Sequence, residues 1–152
     1  VACKEEIYDA IMDNAPKGTI ELFHGYTYSG IPVSVAAALA VQEIFEKEDI
    51  FNRSKEMAPY FQEAIFSLKD IDVVENIRGY GMMAGIDMKM DKKPGVAGFT
   101  CFKHCYDAGV NFKATGDCLI IAPMFISEKK HIDEIIEKLR TGINNYAKSK
   151  KN

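Results

Sequence analysis

The sequence has no apolar run near the roughly 18 residues needed to cross a bilayer, so no membrane partner is expected of its 152 residues. Its first residues, VACKEE, lack the apolar core and small-residue cleavage site of a secretory signal, which makes the cytoplasm the expected location. It has no basic stripe either. With a formal charge of -3 and lysines scattered among acids, nothing is built to grip a phosphate backbone, and nucleic acid is not expected as a partner. The KSKKN tail reads as a solvated terminus. The four cysteines, Cys3, Cys101, Cys105 and Cys118, form no CxxC pair, so reduced thiols are expected. Cys101, His104 and Cys105 share one helix face at i, i+3 and i+4, a spacing that suits a metal. No fourth ligand is evident, so packing is the favoured reading and no metal is assigned.

An apolar fraction of 47% and a charged fraction of 27% are those of an ordinary globular domain with one core. KEEIYDAIMD spaces its apolar residues as a short amphipathic helix that Asn14, Pro16 and Gly18 end. Pro32 suits the first position of the next helix, where its missing N–H costs nothing. A third helical pattern runs from about Asp49 to Leu68, with Ile50, Met57, Phe61, Ile65 and Leu68 on one stripe, and Pro59 should kink or split it. VVENIRGYGMMAGIDMKM alternates about a turn at Gly79–Gly81 and predicts a hairpin. FTCFKHCYDA predicts a helix that Gly109 ends. VNFKA and CLIIAPMF predict strands joined across Thr115, Gly116 and Asp117. Ser127 is the expected cap of a last helix with Ile132, Ile135, Ile136, Leu139, Ile143 and Tyr146 on its buried face. Helices first, then a small sheet of about four strands flanked by helices, predict an α/β protein of the α+β kind, with a boundary near Asp70.

The second helix stands out because Pro32 to Val41 contain one polar side chain, Ser34, where a surface helix should show a charged face. A missing neighbour follows. The expectation is self-association through that helix and the loop before it, over residues 24–46, or else disorder over residues 14–31.

Most chemical motifs fail on context. Gly79, Gly81 and Gly85 sit inside a hairpin, whereas a phosphate-binding glycine loop must join a strand to a helix. Asp87 and Asp91 read as solvated carboxylates, His131 as a surface residue, and no nucleophile–histidine arrangement is arguable from order alone. The segment FHGYTYSGIP is different. Thr27, in a loop just before a helix N-terminus, is placed to bind an anion, because free amides and the helix dipole favour negative charge there. On composition alone a capping loop explains the same residues more readily.

The segment from ELFHGYTYSGIP to MAPYFQEAI, followed by IRGYGMMAGID and ATGDCLIIAPMFISEKKHID, resembles the C-terminal part of class III, pyridoxal-phosphate-dependent aminotransferases, in particular the ω-amino-acid:pyruvate (β-alanine:pyruvate) branch. The resemblance implies a fold type I transferase: residues 1–69 would be a helical remainder of the large cofactor domain, including the interface loop and helix, and 70–152 the small C-terminal α/β domain. It assigns Thr27 of the HGxTY motif to the cofactor phosphate across a dimer interface, with Tyr26 beside it. Tyr26 and Tyr28 become loop and interface residues, and His24 orients the loop. Lys113 in FKATGD stands where the family usually has an arginine that grips the substrate carboxylate. It keeps the charge but loses the bidentate fork. Ile31 replaces a polar residue in the family's GHP or GNP. Both departures read as relaxed constraint or a changed substrate.

The same resemblance places the Schiff-base lysine, and the aspartate that pairs with the pyridinium nitrogen, before VACKEEIYDAIM. No catalytic residue is therefore assigned, and these 152 residues alone are expected to be inactive, binding pyridoxal phosphate weakly or not at all. Two other readings remain open: a non-catalytic interaction module, and one half of a split aminotransferase completed by a separate N-terminal chain, acting on small amino and keto acids.

Overall fold

The computed structural model describes residues 3–18, 25 and 27–150. By its internal contacts the chain divides into two units, Val1–Val41 and Gln42–Asn152. In the first unit, α1 (Glu5–Asp13) begins with Glu5 and Glu6, whose charges suit the positive helix end. It ends where the Asn14 side-chain amide donates to the Ala10 carbonyl at 2.8 Å. Gly18 then takes a left-handed φ of +79°. Helix α2 (Pro32–Lys47) opens on Pro32 as expected and continues across the division into the second unit. Of the 14–31 stretch, for which disorder is the alternative expectation, residues 19–24 and 26 lie outside the described residues.

The second unit is built on a four-stranded antiparallel sheet in the order β1-β2-β4-β3, with β1 at Val74–Tyr80, β2 at Met83–Met88, β3 at Lys113–Thr115 and β4 at Cys118–Ile121. Helices α3 (Ile50–Phe66), α4 (Val96–Asp107) and α5 (Lys129–Ser149) complete it. Val74, Ile77, Ala84, Ile86, Met88, Leu119 and Ile121 of the sheet share one core with Phe61 and Ile65 of α3, Cys101 and Cys105 of α4, and Ile132, Leu139, Ile143 and Tyr146 of α5. At about 25 cal/mol per Å² of apolar surface removed from water, this is the unit's main source of stability. A 3₁₀ turn, Ser67–Asp70, leads from α3 straight into β1. Arg140 of α5 fastens that turn: its Nη1 donates to both Asp70 carboxylate oxygens at 2.9 Å and its Nη2 to the Ser67 carbonyl at 2.8 Å.

Four sequence expectations need correction. Pro59 does not split its helix, since α3 runs unbroken through it. The proline lies on the exposed side while Phe61 and Ile65 are wholly buried, so one missing N–H donor is outweighed by the packed stripe. The hairpin turn is not Gly79–Gly81 but the two residues Gly81 and Met82, closed by the Tyr80–Met83 pair, with Gly81 at φ +57°. The last two strands are shorter than expected, leaving 110–112 and 122–125 outside the sheet. Ser127 is not the last helix's cap; the cap is Glu128. The Glu128 amide donates to His131 Nδ1 at 3.0 Å, so His131 closes the helix end from its exposed position.

Candidate functional site

In the first unit Thr27 lies in a turn over 27–30, exposed, with Gly30 at φ +73°. Ile31 follows, and its carbonyl accepts from the Val35 amide at 3.0 Å, which closes the first turn of α2. Pro32 has no N–H to offer, which leaves the Val33 and Ser34 amides without a carbonyl one turn back within the helix. The geometry is therefore an exposed hydroxyl followed closely by the N-terminus of a helix of 16 residues. Tyr28 is also exposed, at 85%. Tyr26 and His24, both named from the sequence, lie outside the described residues.

In the second unit the register places Arg78, Gly85, Ile120 and Lys113 in one row across all four strands. Opposed residues of antiparallel strands project to the same side, so this row lies on the face that the helices leave open. Lys113 stands exposed at the β3 edge of the row. At the other edge Arg78 forms an ion pair with Asp87 of β2, and its Nη2 lies 3.3 Å from Cys118 Sγ of β4. Asp87 is thus not simply a solvated carboxylate. It fixes the arginine across the hairpin. Burial, then the neighbouring Asp87, push the Cys118 thiol up from its ordinary pKa.

What holds Lys113 in place was not visible from its own neighbours. β3 is three residues long and pairs only with β4. The turn that follows it is fastened to α4: Asp117 accepts from the Gly95 amide at 2.9 Å and from the Gly98 amide at 3.0 Å. Gly95 has no side chain to cap α4, and Asp117 does so from another element. A Cβ on Gly98 would meet the Gly116 carbonyl oxygen at 2.2 Å, so glycine is required for this approach. The aspartate of ATGD was in view in the sequence, but its partners lie 19 and 22 positions away.

Cys101 and Cys105 are wholly buried in the core. The paired Cys105 thiol, together with burial, holds the Cys101 thiol well above its ordinary pKa. Among the described residues no group of His, Cys, Asp or Glu is arranged to hold a metal ion. Gly79 and Gly85 lie in the hairpin strands and Gly81 in its turn. Asp91 lies 3.8 Å from the Lys150 ammonium.

Three comparisons place this geometry among known proteins. The profile of the family described as aminotransferase class-III matches residues 1–143. The omega-aminotransferase of Caulobacter vibrioides is 41% identical over 143 residues, covering 92% of this chain and 32% of that protein. The beta-alanine–pyruvate aminotransferase of Pseudomonas aeruginosa is 31% identical over 149 residues, covering 97% of this chain and 33% of its own. The solved omega transaminase of Pseudomonas jessenii in complex with PMP superposes with a TM-score of 0.74 at 24% identity, covering 84% of this chain and 30% of that one. That last likeness shows the fold, which is that of a transaminase. The chain belongs to the class-III aminotransferase family. It spans about a third of the length of the relatives it matches.

Class-III aminotransferases work through pyridoxal phosphate. An exposed hydroxyl at Thr27 and, after it in sequence, the N-terminus of α2 are donors of the kind that suits an anion.

Proposed function

We propose that these 152 residues form the C-terminal third of an ω-amino-acid:pyruvate-type aminotransferase, which moves an amino group between an amine or amino acid and a keto acid through pyridoxal phosphate. The observation that carries this reading is the match of nearly the whole chain to the family, at 41% identity to an omega-aminotransferase. When bound, the cofactor supplies the electron sink for moving the amino group and a proton. The chain's own residues bind and orient. The Thr27 hydroxyl donates to a phosphate oxygen beside the α2 N-terminus, with Tyr26 next to it, at an interface between two subunits. The Lys113 ammonium, held by the Asp117 latch, takes the substrate carboxylate as a point charge without the fork of an arginine. Residues 1–69 then belong with the large cofactor domain and 70–152 form the small domain.

The reaction also needs a lysine that anchors the cofactor and shuttles the proton, and no motif in this chain supplies it. Incubated with pyridoxal phosphate, an ω-amino acid and pyruvate, the 152 residues alone should form no alanine above background. Supplied with the portion of a class-III aminotransferase that they lack, they should form it. Alanine from the chain alone, or none from the completed protein, would refute the assignment.

One observation supports a second reading, that of a partner-binding module. Val33, Leu39 and Val41 of α2 are 79%, 62% and 47% exposed, an apolar surface that calls for cover. A split enzyme completed by a separate N-terminal chain satisfies both readings.

A further inference from the structure

Between the first half of α5, the segment 109–112 and the segment 121–127 runs a groove of about 470 Å³. Its walls are largely apolar, with Val110 and Phe112 from the first segment, Ile121, Pro123 and Ile126 from the second, and Ile135 from α5. A groove of this size holds a small molecule. One polar group in it is out of keeping with those walls. Ser127 lines the groove and is only 6% exposed, yet its hydroxyl has no hydrogen-bond partner among the described residues. A hydroxyl withdrawn from water without a partner is unfavourable, and a ligand that pairs it is favoured to the same extent.

A second donor lines the same groove. The Glu128 amide donates to His131 Nδ1 at 3.0 Å, so the ring proton lies on Nε2. That Nε2–H has no acceptor among the described residues, and His131 belongs to the lining. Glu134 and Lys138 line the groove as well, but they pair with each other at 2.5 Å, so each charge is already answered within α5. The groove therefore presents two unengaged hydrogen-bonding groups in an apolar wall, and no charge that calls for a counter-ion. Its far wall is fixed in advance, because Arg53 Nη2 donates to the Ile126 carbonyl at 2.8 Å, and a preformed wall loses little conformational freedom on binding.

We propose that this groove binds a small uncharged molecule with an apolar body and a carbonyl group, whose oxygen accepts from the Ser127 hydroxyl and from His131 Nε2–H. The class follows from the lining. The apolar walls take the body of the ligand, and a carbonyl oxygen has two lone pairs, one for each donor. A carboxylate or an ammonium group would exchange its water for neutral partners alone, since Glu134 and Lys138 are engaged with each other. A pure hydrocarbon would leave the Ser127 hydroxyl unpaired.

Benzamide, benzoate and benzylammonium test this, because they share one apolar ring and bear a neutral, a negative and a positive group. Titrated into the full chain of 152 residues and followed by amide NMR, benzamide should shift the amides of 109–112, 121–127 and 131–138 together. Its dissociation constant should be about millimolar, as suits so small a molecule. Benzoate and benzylammonium should bind at least tenfold more weakly. Ser127→Ala removes an unpaired hydroxyl, so it should melt no lower than the wild type, while its affinity for benzamide falls roughly fivefold, the loss of one neutral hydrogen bond. Three binding results overturn the proposal: no benzamide shifts in these segments, binding of either ion as tight as that of benzamide, or an affinity that Ser127→Ala leaves unchanged. A Ser127→Ala chain that melts well below the wild type would also overturn it, since the hydroxyl would then be engaged by the fold and not free for a ligand.

Discussion

On the proposed reading, the Thr27 hydroxyl and the first free amides of α2 donate to an anion. Each neutral hydrogen bond nets only about 1 kcal/mol and a charge-assisted one about twice that. Free pyridoxal phosphate should therefore bind the chain at about the millimolar level, which corresponds to roughly 4 kcal/mol. Amide shifts in the 27–35 segment, followed by NMR during titration, should show this for the wild type and lose it in Thr27→Ala. A second residue carries a pH dependence. The Tyr60 hydroxyl donates to Asp133 Oδ1 at 2.5 Å, and that bond, then burial, raise the phenol above its ordinary value of 10.0. A pKa raised by folding means that the neutral phenol favours the fold. Its contribution is whole below about pH 10 and is lost as pH climbs through the raised value. Urea melts should show Tyr60→Phe less stable than the wild type at pH 7, with the gap closing in strong alkali.

Two close approaches between elements are more sensitive to substitution than any exposed side chain. Helices α4 and α5 meet at Gly142, where a Cβ would lie 2.5 Å from the Cys105 Cα and 2.6 Å from its sulfur. Gly142→Ala should cost about 1–3 kcal/mol through overpacking, although alanine is the better helix former. The turn between β3 and β4 meets α4 through Asp117, and Asp117→Ala should cost about 1–2 kcal/mol, as loss of a helix cap does. Denaturant midpoints check both. Asp117→Asn, which keeps an acceptor, should lose less.

For the whole molecule, the exposed apolar faces of α2 predict self-association when no larger partner is present. Sedimentation should show a mass that rises with concentration, and Leu39→Glu, at a position 62% exposed, should restore the monomer without lowering the melting temperature. A wild-type chain that stays monomeric at every concentration would contradict this.

The buried stripes of α3 and α5, the hairpin, the stop at Gly109 and the start at Pro32 could all be read in advance. Each is a local pattern, either a period of 3.6 or 2 or a residue with a special φ, and local patterns need no knowledge of what lies far along the chain. The order of motifs likewise pointed to the family. What could not be read depends on partners distant in sequence. The continuity of α3 through Pro59 is decided by the core that Phe61 and Ile65 enter, and the cap at Glu128 by His131 turning back upon it. The ion pair of Arg78 and Asp87 follows from strand register. The latch of Asp117 on α4, and the groove whose walls come from three separate segments, exist only once the chain has brought residues tens of positions apart within hydrogen-bond or van der Waals reach. Side-chain spacing predicts which face of an element is apolar; only the tertiary structure decides what that face meets.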